Sequence, residues 1–163
     1  MDNTIDKIGF GGGCHWCTEA VFQSVKGVEK VEQGWIKSKY PNHSFSEAVI
    51  VHYNKSIISL KELIYIHLNT HSATSQHSMR SKYRSAIYYF HETDKRTADQ
   101  CLNELKNEFN QELITKTLEF IEFKLNKDDY LNYFQNNPDK PFCKTYIHPK
   151  LNWLKQNSSI SES

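Results

Sequence analysis

The order of chain segments predicts a two-layer α+β fold, a mixed sheet with helices, built around a βαββαβ unit. Three observations carry this. Runs rich in β-branched and aromatic residues alternate with runs of helical spacing, and the first six elements follow the βαββαβ order. Neither an internal repeat nor a linker-like stretch divides the 163 residues, a length that suits one core. The expected domain spans residues 1–156, with a Ser-rich flexible tail over 157–163.

Lys7 to Phe10 reads as a short strand, followed by a turn at Gly11, Gly12 and Gly13. Trp16, Ala20, Phe22 and Val25 then recur at helical spacing as far as Gly27, a residue suited to the position after a helix. Val28 to Ile36 and Glu47 to Tyr53 are strand candidates separated by a polar loop. Ser59 and Glu62 form a capping-box signature, which predicts a helix from Leu60 to Asn69. After a polar, aperiodic stretch, Arg84 to Phe90 reads as a strand, and Ala98, Cys101, Leu102, Leu105 and Phe109 mark a helix with start signals at Thr93 and Asp94. Thr115 to Phe123 alternates like one strand, and a short helix carries Tyr130, Tyr133 and Phe134 up to Asn136-Asn-Pro138. Cys143 falls in the loop beyond, and Pro149 to Leu154 opens a last helix. The whole matches a split βαβ arrangement of the ferredoxin-like kind.

Charge and composition narrow the function. Twenty Lys and Arg against nineteen Asp and Glu leave a net charge of +1, which gives no general attraction for nucleic acid or anionic membrane. No apolar stretch approaches the roughly 20 residues of a membrane span, and the first residues lack the pattern of a signal peptide, so a cytoplasmic monomer is expected. The cysteines at 14, 17, 101 and 143 are too few and too irregular for a disulfide framework, which leaves catalysis, redox cycling or metal binding. Seven of the eight histidines, all but His15, show no ligand spacing, so no metal is expected.

Cys14 sits where chemistry is favoured. The glycine turn places it at a helix N-terminus, where unpaired backbone N–H groups and the positive end of the helix dipole lower a thiol pKa below about 8.5. Cys14-His-Trp-Cys17 is also a C-x-x-C sequence. On that ground alone, thiol-disulfide exchange of a thioredoxin-like or sensor type remains open, whereas a zinc ribbon lacks its second ligand pair.

The wider segment Gly12-Gly-Cys-His-Trp-Cys-Thr-Glu-Ala-Val-Phe22 resembles the A-type peptide methionine sulfoxide reductases, whose signature is Gly-Cys-Phe-Trp-x-x-Glu. Three later segments match that family in order: Ser46-Glu-Ala-Val49, Lys82-Tyr-Arg-Ser-Ala-Ile87, and Asn136-Asn-Pro138 with Phe142-Cys143. The resemblance implies reduction of the S epimer of methionine sulfoxide, free or in proteins. It assigns attack to Cys14, protonation of the leaving oxygen to Glu47 and hydrogen bonding of that oxygen to Tyr83. Cys14 would become a sulfenic acid, Cys143 would resolve it, and thioredoxin would reduce the resulting disulfide, with no bound cofactor. Trp16, His15 and Trp35 fall at substrate-binding positions. His15 replaces the usual Phe, Trp35 a usual Tyr, and Ser78 a usual Asp. Cys17 and Cys101 read as buried helix residues, Glu19 as structural, and Glu47, apart from the resemblance, as a solvated residue at a strand's start.

Overall fold

The computed structural model describes residues 5–71, 82–109 and 112–157; Ser78 and the tail beyond Asn157 lie outside the described residues. Strands β1 (Ile5–Gly11), β2 (Val28–Lys37), β3 (Ser46–Asn54), β4 (Ala86–Tyr89), β5 (Lys116–Glu119) and β6 (Glu122–Leu125) form one sheet in the order β5-β4-β1-β3-β2-β6. Among the described strands, only the β4–β5 pair is parallel. The four central strands, β4-β1-β3-β2, carry the split βαβ order, so the α+β class holds. Helices α1 (His15–Gln23), α2 (Leu60–Asn69), α3 (Glu92–Leu105), α4 (Tyr133–Asn136) and α5 (His148–Gln156) complete the described regular structure with a few shorter turns.

Strand alternation builds the main core. Ile8 and Phe10 of β1, Val49, Val51 and Tyr53 of β3, and Ile87 of β4 project to one face, where Phe22, Leu63, Ile64 and Ala98 meet them from α1, α2 and α3. Phe10 stacks on Phe22 with ring centroids 4.9 Å apart. Burying each such ring removes apolar surface worth ~2–3 kcal/mol from water.

Opposite-parity residues, Ile36, Ala48, Ile50, Ala86 and Tyr88, make a second buried layer. This layer explains a departure from the sequence reading. Thr115 to Phe123 is not one strand: β5 edges on β4, β6 edges on β2, and the link between them bonds to both edges. Phe120 N donates to Tyr89 O (3.0 Å) and Ile121 N donates to Lys37 O (3.1 Å). The sheet therefore curls until one short segment bridges its two sides, covering the face that the helices leave open. Gly34 permits the closest approach, because a Cβ there would lie 2.0 Å from Lys124 O.

Smaller differences have local causes. Helix α1 ends at Gln23 rather than at Gly27, which takes φ +100° in the turn into β2. Helix α3 begins at Glu92, with His91 rather than Thr93 or Asp94 at its cap. The capping box is present: Glu62 N donates to Ser59 Oγ, and Ser59 N donates to Glu62 Oε1, both at 3.1 Å. Cys143 lies not in a loop but in a wide helical turn (Cys143–Ile147) that runs directly into α5, with Pro149 in the first turn where its missing N–H costs nothing.

Candidate active site

Cys14, His15, Cys17 and Glu47 meet at the start of α1. The chain leaves β1 at Gly11 and turns at Gly12, whose φ is +151° and whose added Cβ would fall 2.4 Å from the His71 ring. Cys14 then caps α1 with extended backbone, and its carbonyl accepts from Cys17 N (3.1 Å) and Thr18 N (3.2 Å). Its thiol is only partly exposed and borders a hollow of about 230 Å³ with Gly13, Thr18, His71, Tyr146 and Lys150.

The Cys14 pKa is lowered, first by a hydrogen bond from the Cys17 thiol and then by the backbone N–H groups of Trp16 and Cys17; burial and the nearby charge of Glu47 oppose the shift. Cys17 is pushed far upward by the same hydrogen bond and by burial, so it stays protonated. Cys17 is thus buried, as expected, but it also acts on the nucleophile. It packs with Ala20, Cys143 and Ile147, and Cys14 lies against the same cluster, so thiols from opposite ends of the chain share one packed group. Burial raises the Cys143 pKa. Cys101 lies elsewhere, in the main core.

Glu47 arrives from β3. It has the parity of Val49 and Val51, so its side chain points to the helix face, and it is 7% exposed rather than solvated. Its Oε1 accepts from His15 N at 3.1 Å, which holds the carboxyl beside the residue following the nucleophile. Three hydrogen bonds stitch the start of β3 to the segment leading into β4. Glu47 N donates to Lys82 O (2.8 Å), Ser46 Oγ to Lys82 O (2.9 Å), and Arg84 N to Ser46 Oγ (2.7 Å). Arg84, itself buried, reaches on to Ser44 O and Ile36 O. The same stitching fixes the backbone on either side of Tyr83. The Lys82 ammonium lies 3.7 Å from Glu47 Oε2 and 5.1 Å from the centre of the Tyr83 ring, and hydrogen bonding to Tyr83 raises its pKa.

His15 turns inward instead of lining the hollow. It is 5% exposed, with Nδ1 2.8 Å from Gly34 O and its ring edge-on to Trp35 at 5.1 Å. Trp35 stands opposite Glu47 in the β2–β3 register. Trp16 packs away from His15, stacked on Tyr133 at 4.0 Å with Phe142 edge-on at 5.5 Å, and its buried indole N–H has no partner among the described residues. Glu19 holds this aromatic wall in place. Its carboxylate accepts from Asn132 N (2.8 Å), Tyr133 N (3.2 Å) and Gln33 Nε2 (2.9 Å), which makes it the structural residue expected.

A family model for peptide methionine sulfoxide reductase matches residues 6–162. The chain belongs to that family. Among curated relatives, the peptide methionine sulfoxide reductase MsrA of a Psychrobacter species is 34% identical over 90% of this chain and 92% of its own. That of Deinococcus radiodurans is 33% identical over 90% and 79%. The crystal structure of Mxr1 from Saccharomyces cerevisiae in reduced form superposes with a TM-score of 0.76 at 20% identity, covering 88% of this chain and 91% of that one. The same yeast protein in complex with Trx2 gives 0.63 at 19% identity, covering 80% and 85%. These likenesses support the curled α+β sheet of this family member. Among its described residues, no three His, Cys, Asp or Glu side chains are grouped to hold a metal ion.

Ser46, Lys82 and Asn126 are not marked as site residues by the sequence, which marks Cys17 only as the partner of Cys14 in the C-x-x-C exchange reading and as a buried helix residue. Lys82 stands inside a matched motif without assigned chemistry. Ser46 is visible only as a hydrogen-bonded knot, and Asn126 only as a partner of His15.

Proposed function

We propose that this protein reduces the S epimer of methionine sulfoxide, free or within proteins, to methionine. The observation that carries the proposal is the pairing of a thiol with lowered pKa at a helix N-terminus with a buried carboxyl fixed by the next residue's N–H. Family membership supplies the substrate class. Cys14 attacks the sulfoxide sulfur, Glu47 protonates the departing oxygen, and Tyr83, joined to Glu47 through Lys82, donates to that oxygen. Trp16, with Tyr133 and Phe142 around it, offers an apolar surface for the substrate's methyl group, with His15 and Trp35 beside the acid. The oxygen leaves as water; a water then attacks the Cys14 sulfur as its bond to the substrate sulfur breaks, so methionine departs, a proton is released and Cys14 is left as a sulfenic acid.

Cys143 resolves that acid by forming a disulfide with Cys14, as its place in the same side-chain cluster supports. A thioredoxin then reduces the disulfide by exchange, in keeping with the yeast relative's structure with Trx2, and no bound cofactor is needed. The chain acts as a cytoplasmic monomer. The test is incubation with a methionine S-sulfoxide and dithiothreitol: methionine should form, and Cys14→Ser should abolish it. A folded wild-type sample that yields none refutes the proposal.

A second reading, thiol-disulfide exchange by Cys14 and Cys17, draws support from their mutual hydrogen bond. After one equivalent of sulfoxide, mass mapping should find a Cys14–Cys143 disulfide; a Cys14–Cys17 disulfide would favour the second reading.

A further inference from the structure

We propose that Tyr130 and Tyr146 are subsites for apolar side chains that flank the methionine sulfoxide, so that the preferred substrate is a sulfoxide in an extended polypeptide with apolar residues two positions to either side. The inference rests on the sulfoxide-reducing role proposed for Cys14 and names the substrate class more closely. Neither tyrosine touches a reacting atom; both set specificity.

Five rings form one unbroken run beside the nucleophile. Tyr130 stands 6.1 Å from Trp16, Tyr133 is stacked on Trp16 at 4.0 Å, and Phe142 stands 5.5 Å from Trp16 and 5.0 Å from Tyr146. The middle and the ends of the run differ in what covers them. Trp16, Tyr133 and Phe142 are half-buried, whereas Tyr130 is 46% and Tyr146 is 55% exposed. Isolated exposed rings are ordinary on a protein surface. These two instead end a contiguous patch that contains the ring offered to the substrate's methyl group, and Phe142 and Tyr146 line the same hollow as Cys14. The chain that carries the sulfoxide is the one occupant whose place beside them is already set by Cys14.

Both ends are held by the fold. Tyr130 O accepts from Gln33 Nε2 at 3.0 Å, and Gln33 is fixed in turn on the Glu19 carboxylate. Tyr146 lies in the wide turn Cys143–Ile147, whose two end residues are fully buried against α1, which leaves Tyr146 on the solvent side. Rings anchored in this way offer contact area at a low entropic cost. Their spacing also suits an extended chain, in which same-face side chains recur every two residues, about 6.6 Å apart. The steps along the run from Tyr130 through Trp16 and Phe142 to Tyr146 are 5.0 to 6.1 Å. A sulfoxide seated with its methyl group on Trp16 therefore brings the side chain two positions away on one side over Tyr130, and its counterpart on the other side between Phe142 and Tyr146.

Steady-state kinetics on the full chain, with dithiothreitol as reductant, test this. The substrates are two capped peptides of methionine S-sulfoxide, Phe-Gly-Met(O)-Gly-Phe and Gly-Gly-Met(O)-Gly-Gly. Covering the exposed half of one ring corresponds to about a fivefold change in affinity. The Phe peptide should have a kcat/KM roughly tenfold or more above that of the Gly peptide, with the difference in KM rather than kcat. Tyr130→Ala and Tyr146→Ala should each cut that preference about fivefold, and Tyr146→Phe should keep it. Equal kcat/KM for the two peptides, or a preference that both alanine variants retain, overturns the proposal. A loss in Tyr146→Ala that emerges only when thioredoxin replaces dithiothreitol assigns the surface to the reductant and overturns it as well. No turnover of either peptide by wild type refutes the sulfoxide reading instead. Titration of wild type and Tyr146→Ala with the reduced peptide Phe-Gly-Met-Gly-Phe, followed by aromatic NMR resonances, then decides the subsites, which fail if the two proteins bind it alike.

Discussion

Replacing Cys17 with Ala should raise the Cys14 pKa and slow the nucleophile at neutral pH. The largest cause of the lowered value is the hydrogen bond from the Cys17 thiol, ahead of the backbone donors at the helix N-terminus. Hydrogen bonds to charged groups contribute about 1.5–3 kcal/mol, and one pKa unit is about 1.4 kcal/mol. A thiol is a weak donor, so the lower half of that range applies, and the expected rise is about one to one and a half units. The thiolate fraction near pH 7 should then fall roughly tenfold. Alkylation of Cys14 by iodoacetamide, followed by mass spectrometry of its peptide across pH, reads this directly. Cys17 is buried against Ala20, Cys143 and Ile147, so the variant also loses packing, and thermal unfolding should be recorded alongside. Cys17→Ser, which keeps a donor, should retain most of the depression. If Cys17→Ala folds and Cys14 titrates as in wild type, the helix N-terminus alone sets its reactivity and the role given to Cys17 is wrong.

Other perturbations reach different links. Ser46→Ala should cost about 2–3 kcal/mol in urea unfolding, because it strips the buried Arg84 N–H of its partner, and it should lower kcat by loosening Tyr83; unchanged stability would refute the stitching. Gly12→Ala should lower the melting temperature by several degrees, since φ +151° and the His71 ring both exclude a Cβ; a wild-type melt would contradict that geometry. Glu19 has a pKa raised by burial above its unfolded value, so its contribution is fully present below the unfolded pKa and is lost as pH rises through the folded one. Stability measured by denaturant from pH 4 upward should therefore show a declining component that Glu19→Gln removes. That variant should also be less stable overall, because an amide cannot accept from both Asn132 N and Tyr133 N.

Local signals in the chain carried far. The Ser59–Glu62 box marks the start of α2 because both hydrogen bonds form within one turn. The Gly11 to Gly13 turn marks the entry to α1 because only glycine tolerates the backbone at Gly12. What stayed hidden depends on distant partners. No local pattern in 115–123 tells that its two halves serve opposite edges of a curled sheet, since that needs Tyr89 and Lys37 to be brought together. Cys143 read as a loop residue because Pro138 and Pro141 break the pattern before it, whereas the turn it occupies is stabilised by packing on α1. Glu47 looked solvated because alternation alone does not say which face a strand's first residues will cover.

His15 shows how a single replacement can redistribute chemistry without altering the fold. From the sequence, an imidazole in place of a phenyl ring reads as a damaged apolar wall. In the structure the ring points the other way, and the apolar surface is carried by Trp16 with Tyr133 and Phe142. The same inward position places a basic group 3.6 Å from the carboxyl, while Lys82 places a second basic group 3.7 Å away on the opposite oxygen. Both basic groups bear on the one carboxyl that must sit beside the nucleophile, so their effects are coupled in physical terms: the loss of kcat from His15→Phe should differ between wild type and the Lys82→Gln background, and equal losses in the two backgrounds would show that the basic groups act on Glu47 independently.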